Sequence, residues 1–92
     1  MKLSPNDPNI APNVVLYTRR GCHLCDEARR ILEEYRLAPV LVDIDADPDL
    51  RQQFDTSVPV VEIDGRIRFR GRVEPVLLRR ILERRGWNRI RG

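Results

Sequence analysis

Residues 18–28 read TRRGCHLCDEA and place two cysteines, Cys22 and Cys25, at the point where a strand pattern gives way to a helical one. They are the only cysteines in the chain. A pair with this spacing can be a redox-active dithiol, half of a tetrahedral metal site, or two inert thiols. The segments on either side of the pair decide the fold, and the fold limits which chemistry is possible.

A change of hydrophobic period marks the elements around the cysteines. NVVLYT predicts a buried strand over residues 14–18, and APVLVDIDA predicts a second buried strand. Between them apolar residues recur at helical spacing from Cys22 onward, namely Leu24, Ala28, Ile31, Leu32 and Tyr35. A strand, helix and strand within about thirty residues predict a βαβ unit with parallel strands.

The second half of the chain predicts a short helix, a hairpin and a last helix. Asp47 suits an N-cap with Pro48 at the first helical position, so a helix is expected from 48 to about 55. Asp64-Gly65 suits a type I′ hairpin turn, after which Ile67 and Phe69 should face inward. A helix beginning near Glu74-Pro75 and stopping at Gly86 should bury a set of apolar residues, namely Val76, Leu77, Leu78, Ile81 and Leu82.

The predicted order is therefore β-α-β-α-β-β-α. A βαβ unit joined to a ββα unit gives an α/β fold with a four-stranded mixed sheet and helices on both faces. The domain should span residues 14–86. The proline-rich residues 1–13 are expected to form a flexible arm and residues 87–92 a tail, whose Trp87 should cover the last helix.

Length and composition exclude several classes of protein. Ninety-two residues, 41% of them hydrophobic and 34% charged, describe one soluble globular domain. No apolar run is long enough to span a bilayer, and the first residues lack the apolar stretch of an export signal. We therefore expect a cytoplasmic protein, in which a lone cysteine pair indicates chemistry or metal binding rather than a structural disulfide.

Charge is distributed unevenly along the chain. Residues 1–65 hold seven basic and twelve acidic side chains, whereas residues 66–92 hold ten basic and two acidic ones. Such a basic segment can attract an anionic partner. No aromatic stacking platform or groove-reading motif accompanies the basic segment, so a solvated face is favoured over a nucleic-acid site. Separately, we expect the protein to be a monomer.

The position of Cys22 favours redox chemistry. Backbone N–H groups and a partial positive charge at a helix start stabilise a thiolate, which is the nucleophilic form of cysteine. Cys25, one turn further on, is close enough to attack a mixed disulfide formed at Cys22. His23, Arg19 and Arg20 could add positive potential. Zinc remains an alternative, since Cys-x-x-Cys supplies two of its four ligands.

LYTRRGCHLCDEA, followed by SVPVVEIDG in this order of elements, resembles the glutaredoxin-like branch of the thioredoxin superfamily, in particular its small bacterial members. The resemblance covers residues 14 to about 84. It implies a thioredoxin-like fold and a thiol-disulfide oxidoreductase in which Cys22 attacks and Cys25 resolves.

The same resemblance implies the residues that bind the substrate. Pro59 matches the proline that such proteins hold in the cis form, and Val58 would offer its backbone to an extended substrate. Arg19 occupies the place of a basic residue near the glutathione carboxylate, and His23 lies between the cysteines as a further candidate contact.

Two departures from the family pattern concern glutathione. Glutaredoxins that use it commonly carry proline and an aromatic between the cysteines, where this chain has His23 and Leu24. They also carry a Gly-Gly pair after the hairpin, where this chain has Gly71 alone. We expect no metal or organic cofactor, a protein or small-molecule disulfide as substrate, and an external thiol donor, with glutathione and a thioredoxin-type protein both open. The alternative is a thioredoxin-fold binding or scaffold module without redox activity.

Overall fold

The computed structural model describes residues 11–87 of the chain. Its elements follow the predicted order: β1 (Val14–Thr18), α1 (His23–Glu34), β2 (Val40–Asp43), α2 (Pro48–Phe54), β3 (Val60–Ile63), β4 (Arg66–Arg70) and α3 (Pro75–Arg85). A single 3₁₀ turn over Ile44–Ala46 joins β2 to α2. The predictions of a first strand over 14–18, of a helix starting at the cysteines and of a helix starting at Pro48 are confirmed.

The strands form one mixed sheet in the order β2-β1-β3-β4. Strand β1 runs parallel to β2, with Leu16 opposite Leu41, and antiparallel to β3, with Leu16 opposite Val61. Strand β4 pairs antiparallel with β3 through the predicted hairpin, where Asp64 and Gly65 both have positive φ, 50° and 83°. The four-stranded mixed sheet is therefore confirmed.

Helices cover both faces of the sheet, as the alternation of side chains in β1 requires. Leu16 lies in the larger core cluster, to which α1 contributes Leu32 and α3 contributes Leu78. Tyr17, the next residue, packs on the opposite face against Phe54 of α2, with the two ring centroids 4.8 Å apart. Helices α1 and α3 thus share one face and α2 covers the other.

Strand β2 differs from the prediction of a second buried strand. It is an edge strand, and Val40 and Leu41 are 62% and 43% exposed. An apolar run does not reveal whether a strand lies at the centre or the edge of a sheet, because that depends on the pairing of the other strands. The buried residue of this segment is Ile44, directly after β2, which lies in the smaller core cluster and is fully buried.

A β-bulge makes the prediction for Ile67 wrong. Glu62 and Val61 are neighbours in β3, yet they pair with Ile67 and Phe69, so that Arg68 is an extra residue in β4. Phe69 is buried as predicted, whereas Ile67 pairs with Glu62 on the other face and is 38% exposed. The extra residue breaks the simple alternation on which the prediction rested.

The first turn of α3 also differs from the prediction. Leu78 and Leu82 are buried and Ile81 is partly buried, but Val76 and Leu77 are 54% and 49% exposed. Residues four apart lie on the same side of a helix, so Leu78 and Leu82 share the buried face. Val76 and Leu77 lie beside this face and remain exposed.

The ends of the domain are tied down by a few contacts. Trp87 packs against the larger core cluster, and its backbone N–H donates to the Leu82 carbonyl, as expected of an aromatic covering the last helix. The rest of the predicted tail and residues 1–10 of the predicted arm lie outside the described residues.

Asp64 joins three parts of the fold. Its carboxylate accepts hydrogen bonds from the Asn13 backbone N–H at 3.0 Å and from Arg85 Nε at 2.8 Å. The Arg85 side chain is only 8% exposed, so this ion pair is largely shielded from water. The hairpin turn is thereby fastened both to the entrance of β1 and to the end of α3.

We expect Asp64→Ala to lower the free energy of unfolding by about 2 kcal/mol, because a charge-assisted hydrogen bond to a shielded guanidinium is lost. Urea denaturation monitored by circular dichroism measures this change. Asp64→Asn is the matched control, because asparagine keeps an acceptor and tolerates positive φ, and it should cost less. Equal stability of Asp64→Ala and the parent protein would contradict this role.

Candidate active site

Three loops meet where β1 and β2 end and β3 begins, and we call this side of the sheet the cysteine edge. Because β1 and β2 are parallel, their carboxyl ends lie at the same edge, and because β1 and β3 are antiparallel, the start of β3 lies there too. The cysteine loop follows β1, the 3₁₀ turn follows β2, and Val58-Pro59 precedes β3. Sheet pairing therefore brings together the three segments that carry the candidate residues.

Cys22 is the N-cap of α1. Gly21, just before it, has φ of 77°, a conformation that glycine adopts without steric cost, and Cys22 itself is extended. The Cys22 Sγ accepts a hydrogen bond from the Cys25 backbone N–H at 3.1 Å. This N–H is one of the donors that a helix start leaves without a backbone partner, and a hydrogen bond of this kind favours a negatively charged sulfur.

The two sulfurs are joined as a disulfide, with 5.2 Å between the Cα atoms of Cys22 and Cys25. Their exposure differs sharply. Cys25 is 2% exposed and belongs to the buried side of α1, whereas Cys22 is partly exposed. A molecule in solution can therefore contact Cys22 far more readily than Cys25.

The Val58-Pro59 peptide bond is cis, as the resemblance to glutaredoxin-like proteins implies. Pro59 is buried and Val58 is partly exposed. The Gly71 backbone N–H donates to the carbonyls of both Ser57 and Pro59, each at 2.8 Å. Gly71, with φ of 79°, is the single glycine that follows the hairpin, and its two hydrogen bonds position the loop that carries Val58.

The Arg19 guanidinium donates hydrogen bonds to two carboxylates. Its Nη2 and Nε donate to the two Asp45 carboxylate oxygens at 2.7 and 3.1 Å, a bidentate arrangement. Its Nη1 donates to the Asp55 carboxylate at 3.0 Å and to the Asp55 carbonyl at 2.9 Å. These hydrogen bonds raise the pKa of Arg19 and lower the pKa of Asp45, so both groups stay charged. A substrate carboxylate approaching Arg19 would have to compete with both aspartates.

His23 and Leu24, the residues between the cysteines, are exposed. Leu24 is 48% exposed and offers apolar surface next to the partly exposed Cys22. The structure thus places Arg19, Cys22, His23, Val58 and Pro59 on segments that share one edge of the sheet, with Cys25 beneath them.

Residues 11–87 contain neither a cluster of metal-binding side chains nor a helix that could span a membrane. This part of the chain holds no group of three or more histidine, cysteine, aspartate or glutamate side chains placed to bind a metal ion. It also contains no helix with the length and apolar character needed to cross a membrane.

The fold and the paired cysteines define a thioredoxin-fold protein with a Cys-x-x-Cys site at the start of its first helix. The chain matches the family described as "Glutaredoxin-like domain (DUF836)" over residues 13–83. It therefore belongs to the glutaredoxin-like domain family, and this membership together with the bonded Cys22–Cys25 pair fits a thiol oxidoreductase.

Individual relatives agree with this assignment. The chain is 32% identical over 62 residues to Glutaredoxin-C13 of Arabidopsis thaliana, a match that covers 59% of this chain and 61% of that protein. Among solved structures it is similar to target protein XcR50 from X. campestris, with 34% identity, a TM-score of 0.67, and coverage of 77% of this chain and 96% of that one. The thioredoxin-like protein BC3987 shares the fold at 22% identity and a TM-score of 0.61, with coverage of 77% and 95%.

The sequence pattern did not predict Asp45 and Asp55 as partners of Arg19. For Asp45 a signal was present, because parallel pairing of β1 and β2 puts a residue just after one strand near a residue just after the other. For Asp55 no such signal exists, since its place depends on how α2 ends against the sheet.

The Arg19–Asp45 pair predicts a pH dependence of stability. The folded-state pKa of Asp45 is depressed by Arg19, so its stabilising contribution is present above its unfolded pKa of about 3.9 and is lost as pH falls through the lower folded value. We expect Asp45→Asn to weaken this acid-dependent loss of stability, as measured by urea denaturation at several pH values below about 4. Asp49→Asn, a charge-matched control on α2, should leave it unchanged. If the free energy of unfolding falls equally with decreasing pH in Asp45→Asn and in the parent protein, the assignment is refuted.

Proposed function

We propose that this protein is a thiol-disulfide oxidoreductase in which Cys22 is the attacking and Cys25 the resolving cysteine. The observation that carries the proposal is the hydrogen bond from the Cys25 backbone N–H to Cys22 Sγ at the start of α1. The burial of Cys25 below a partly exposed Cys22 supports the division of roles. Membership of the glutaredoxin-like domain family supports the reaction class.

The reaction begins with the reduced dithiol. The Cys22 thiolate attacks one sulfur of the substrate disulfide, forms a mixed disulfide and releases the other sulfur as a thiolate. The Cys25 sulfur, after losing its proton, attacks Cys22 Sγ, forms the Cys22–Cys25 disulfide and releases the second substrate sulfur. Two electrons pass from the protein to the substrate, and the two released thiolates take up protons from water or from Cys25.

The Cys22–Cys25 disulfide must then be reduced with two electrons by an external thiol donor, either one dithiol or two monothiol molecules. We propose that this donor is a thioredoxin-type protein rather than glutathione. Support comes from Arg19, whose guanidinium is already engaged by Asp45 and Asp55. The exposed His23 and Leu24 stand where glutathione-using proteins commonly have other residues. We place this cycle in the cytoplasm, where the reducing environment would keep the dithiol available, and in a monomer.

Replacing each cysteine separates the two roles. We expect Cys22→Ser to abolish reduction of a small aromatic disulfide, and Cys25→Ser to accumulate a mixed disulfide at Cys22 that intact-mass spectrometry detects, because the resolving step is missing. Arg30→Ala, a substitution on the exposed side of α1, serves as a control and should retain the parent activity. Unchanged disulfide reduction by Cys22→Ser would refute the proposal in favour of a binding scaffold.

Alkylation tests which sulfur is the nucleophile. When the fully reduced protein is treated with iodoacetamide near pH 6, we expect modification at Cys22 and protection of Cys25, because only Cys22 combines exposure with a helix-start hydrogen bond. Peptide mapping identifies the modified residue. Equal modification of both cysteines would contradict the assigned asymmetry.

The donor is tested with two coupled assays, one supplying thioredoxin and its reductase and the other glutathione and its reductase. We expect the thioredoxin system to sustain turnover at lower donor concentration. Asp45→Asn combined with Asp55→Asn should increase turnover with glutathione, because the Arg19 guanidinium can then donate hydrogen bonds to a glutathione carboxylate. Faster turnover of the parent protein with glutathione would overturn the proposed donor.

A further inference from the structure

A groove rich in arginine lies between β4 and α3. Two adjoining cavities of about 360 and 300 Å³ run along it, and they share Arg68, Ile81 and Arg84 in their walls. Arg66 lines one cavity and Arg80 the other. We call this surface the β4–α3 groove and define it by its four exposed arginines: Arg66, Arg68, Arg80 and Arg84.

The bulge in β4 turns two of these arginines into the groove. Arg66 pairs with Ile63, so it faces the side of the sheet that α3 covers. Arg68, the extra residue, lines both cavities beside Ile81 and Arg84 of α3. In a regular strand in which Phe69 faces the core, Arg68 would point to the opposite face. The irregularity therefore gathers positive charge on the α3 side.

This charge is not neutralised within residues 11–87. None of the four arginines forms an ion pair with a described residue, whereas neighbouring basic residues do: Arg85 pairs with Asp64 and Arg79 with Glu83. Asp64 also lines the larger cavity, but its carboxylate is paired with Arg85. The four arginines around this concave surface repel one another, and none of them has a bidentate carboxylate partner in the described part of the chain. An anionic ligand would relieve this repulsion.

The shape and the apolar content of the groove favour an acidic protein segment over a nucleic acid. Leu77, 49% exposed, and Ile81 supply apolar surface between the arginines. Phe69 also lines the smaller cavity, but it is only 5% exposed and does not offer a ring face for base stacking. Strand β4 is an edge of the sheet, with no further strand beside it in the described part of the chain. Its outer backbone groups can pair with an extended chain.

We propose that the β4–α3 groove binds an extended, acidic segment of a partner protein, which lies along β4 and directs alternate carboxylates toward the four arginines. This inference is independent of the redox proposal. Arg66 and Arg68 lie toward the hairpin end of β4, whereas Gly71, beyond its other end, contacts the loop that carries Pro59. Docking at the groove and disulfide exchange at Cys22 therefore use separate residues.

The test measures fluorescence anisotropy of a short labelled peptide with glutamate at alternate positions and threonine between them, using the full-length protein. We expect binding that Arg68→Gln combined with Arg84→Gln weakens by about tenfold or more, because two charge-assisted contacts are lost. The control combines Arg51→Gln with Arg79→Gln, which removes the same charge outside the groove and should change affinity much less. Reduction of a small disulfide by the groove variant should stay at the parent rate, and Cys22→Ser should still bind the peptide.

Several results would overturn the proposal. Equal weakening in the groove and control variants would show attraction to net charge alone. Equal binding of a peptide with prolines in place of the threonines would exclude pairing along β4, because proline cannot donate a backbone hydrogen bond. Absence of peptide binding by the parent protein would also refute it, and so would a single-stranded RNA that binds the groove in preference to the peptide.

Discussion

Strand β1 is hydrogen-bonded on both sides, and most of the functional arrangement depends on that pairing. Its parallel neighbour β2 and its antiparallel neighbour β3 bring the end of β1, the end of β2 and the start of β3 to one edge. The cysteine loop, the turn that carries Asp45 and the cis Val58-Pro59 bond occupy these three places. A change in either pairing would separate Cys22 from the residues proposed to position its substrate.

Electrostatics at this edge differs from a simple cationic site. The helix start and its Cys25 N–H supply positive potential directly at Cys22 Sγ. Arg19, the first residue after β1, instead connects the end of β1 to Asp45 and to the end of α2 at Asp55. The resemblance to glutaredoxins implies a basic residue at this position that binds a substrate carboxylate. Arg19 instead has a structural role, because its guanidinium is paired with Asp45 and Asp55.

The positive charge of the chain is concentrated on a different surface. The hairpin and α3 carry an arginine-rich groove, and its separation from the cysteine edge follows from the direction of β4, which starts at the hairpin turn and ends near the Pro59 loop. The proposed docking site and the proposed site of disulfide exchange therefore lie on different parts of the sheet. Binding and chemistry can then be altered independently by substitution.

The sequence by itself determined the order of the elements, the hairpin turn at Asp64-Gly65 and the position of the cysteine pair at the start of α1. These features rest on local physics: hydrophobic period, turn-compatible residues and helix-start signals, all of which act over a few neighbouring residues. Only the tertiary structure decided that β2 is an exposed edge, that Arg68 forms a bulge and turns Ile67 outward, and that Asp45 and Asp55 hold Arg19. Each of these depends on residues distant along the chain, whose relative placement is set by strand pairing and by packing of the whole core.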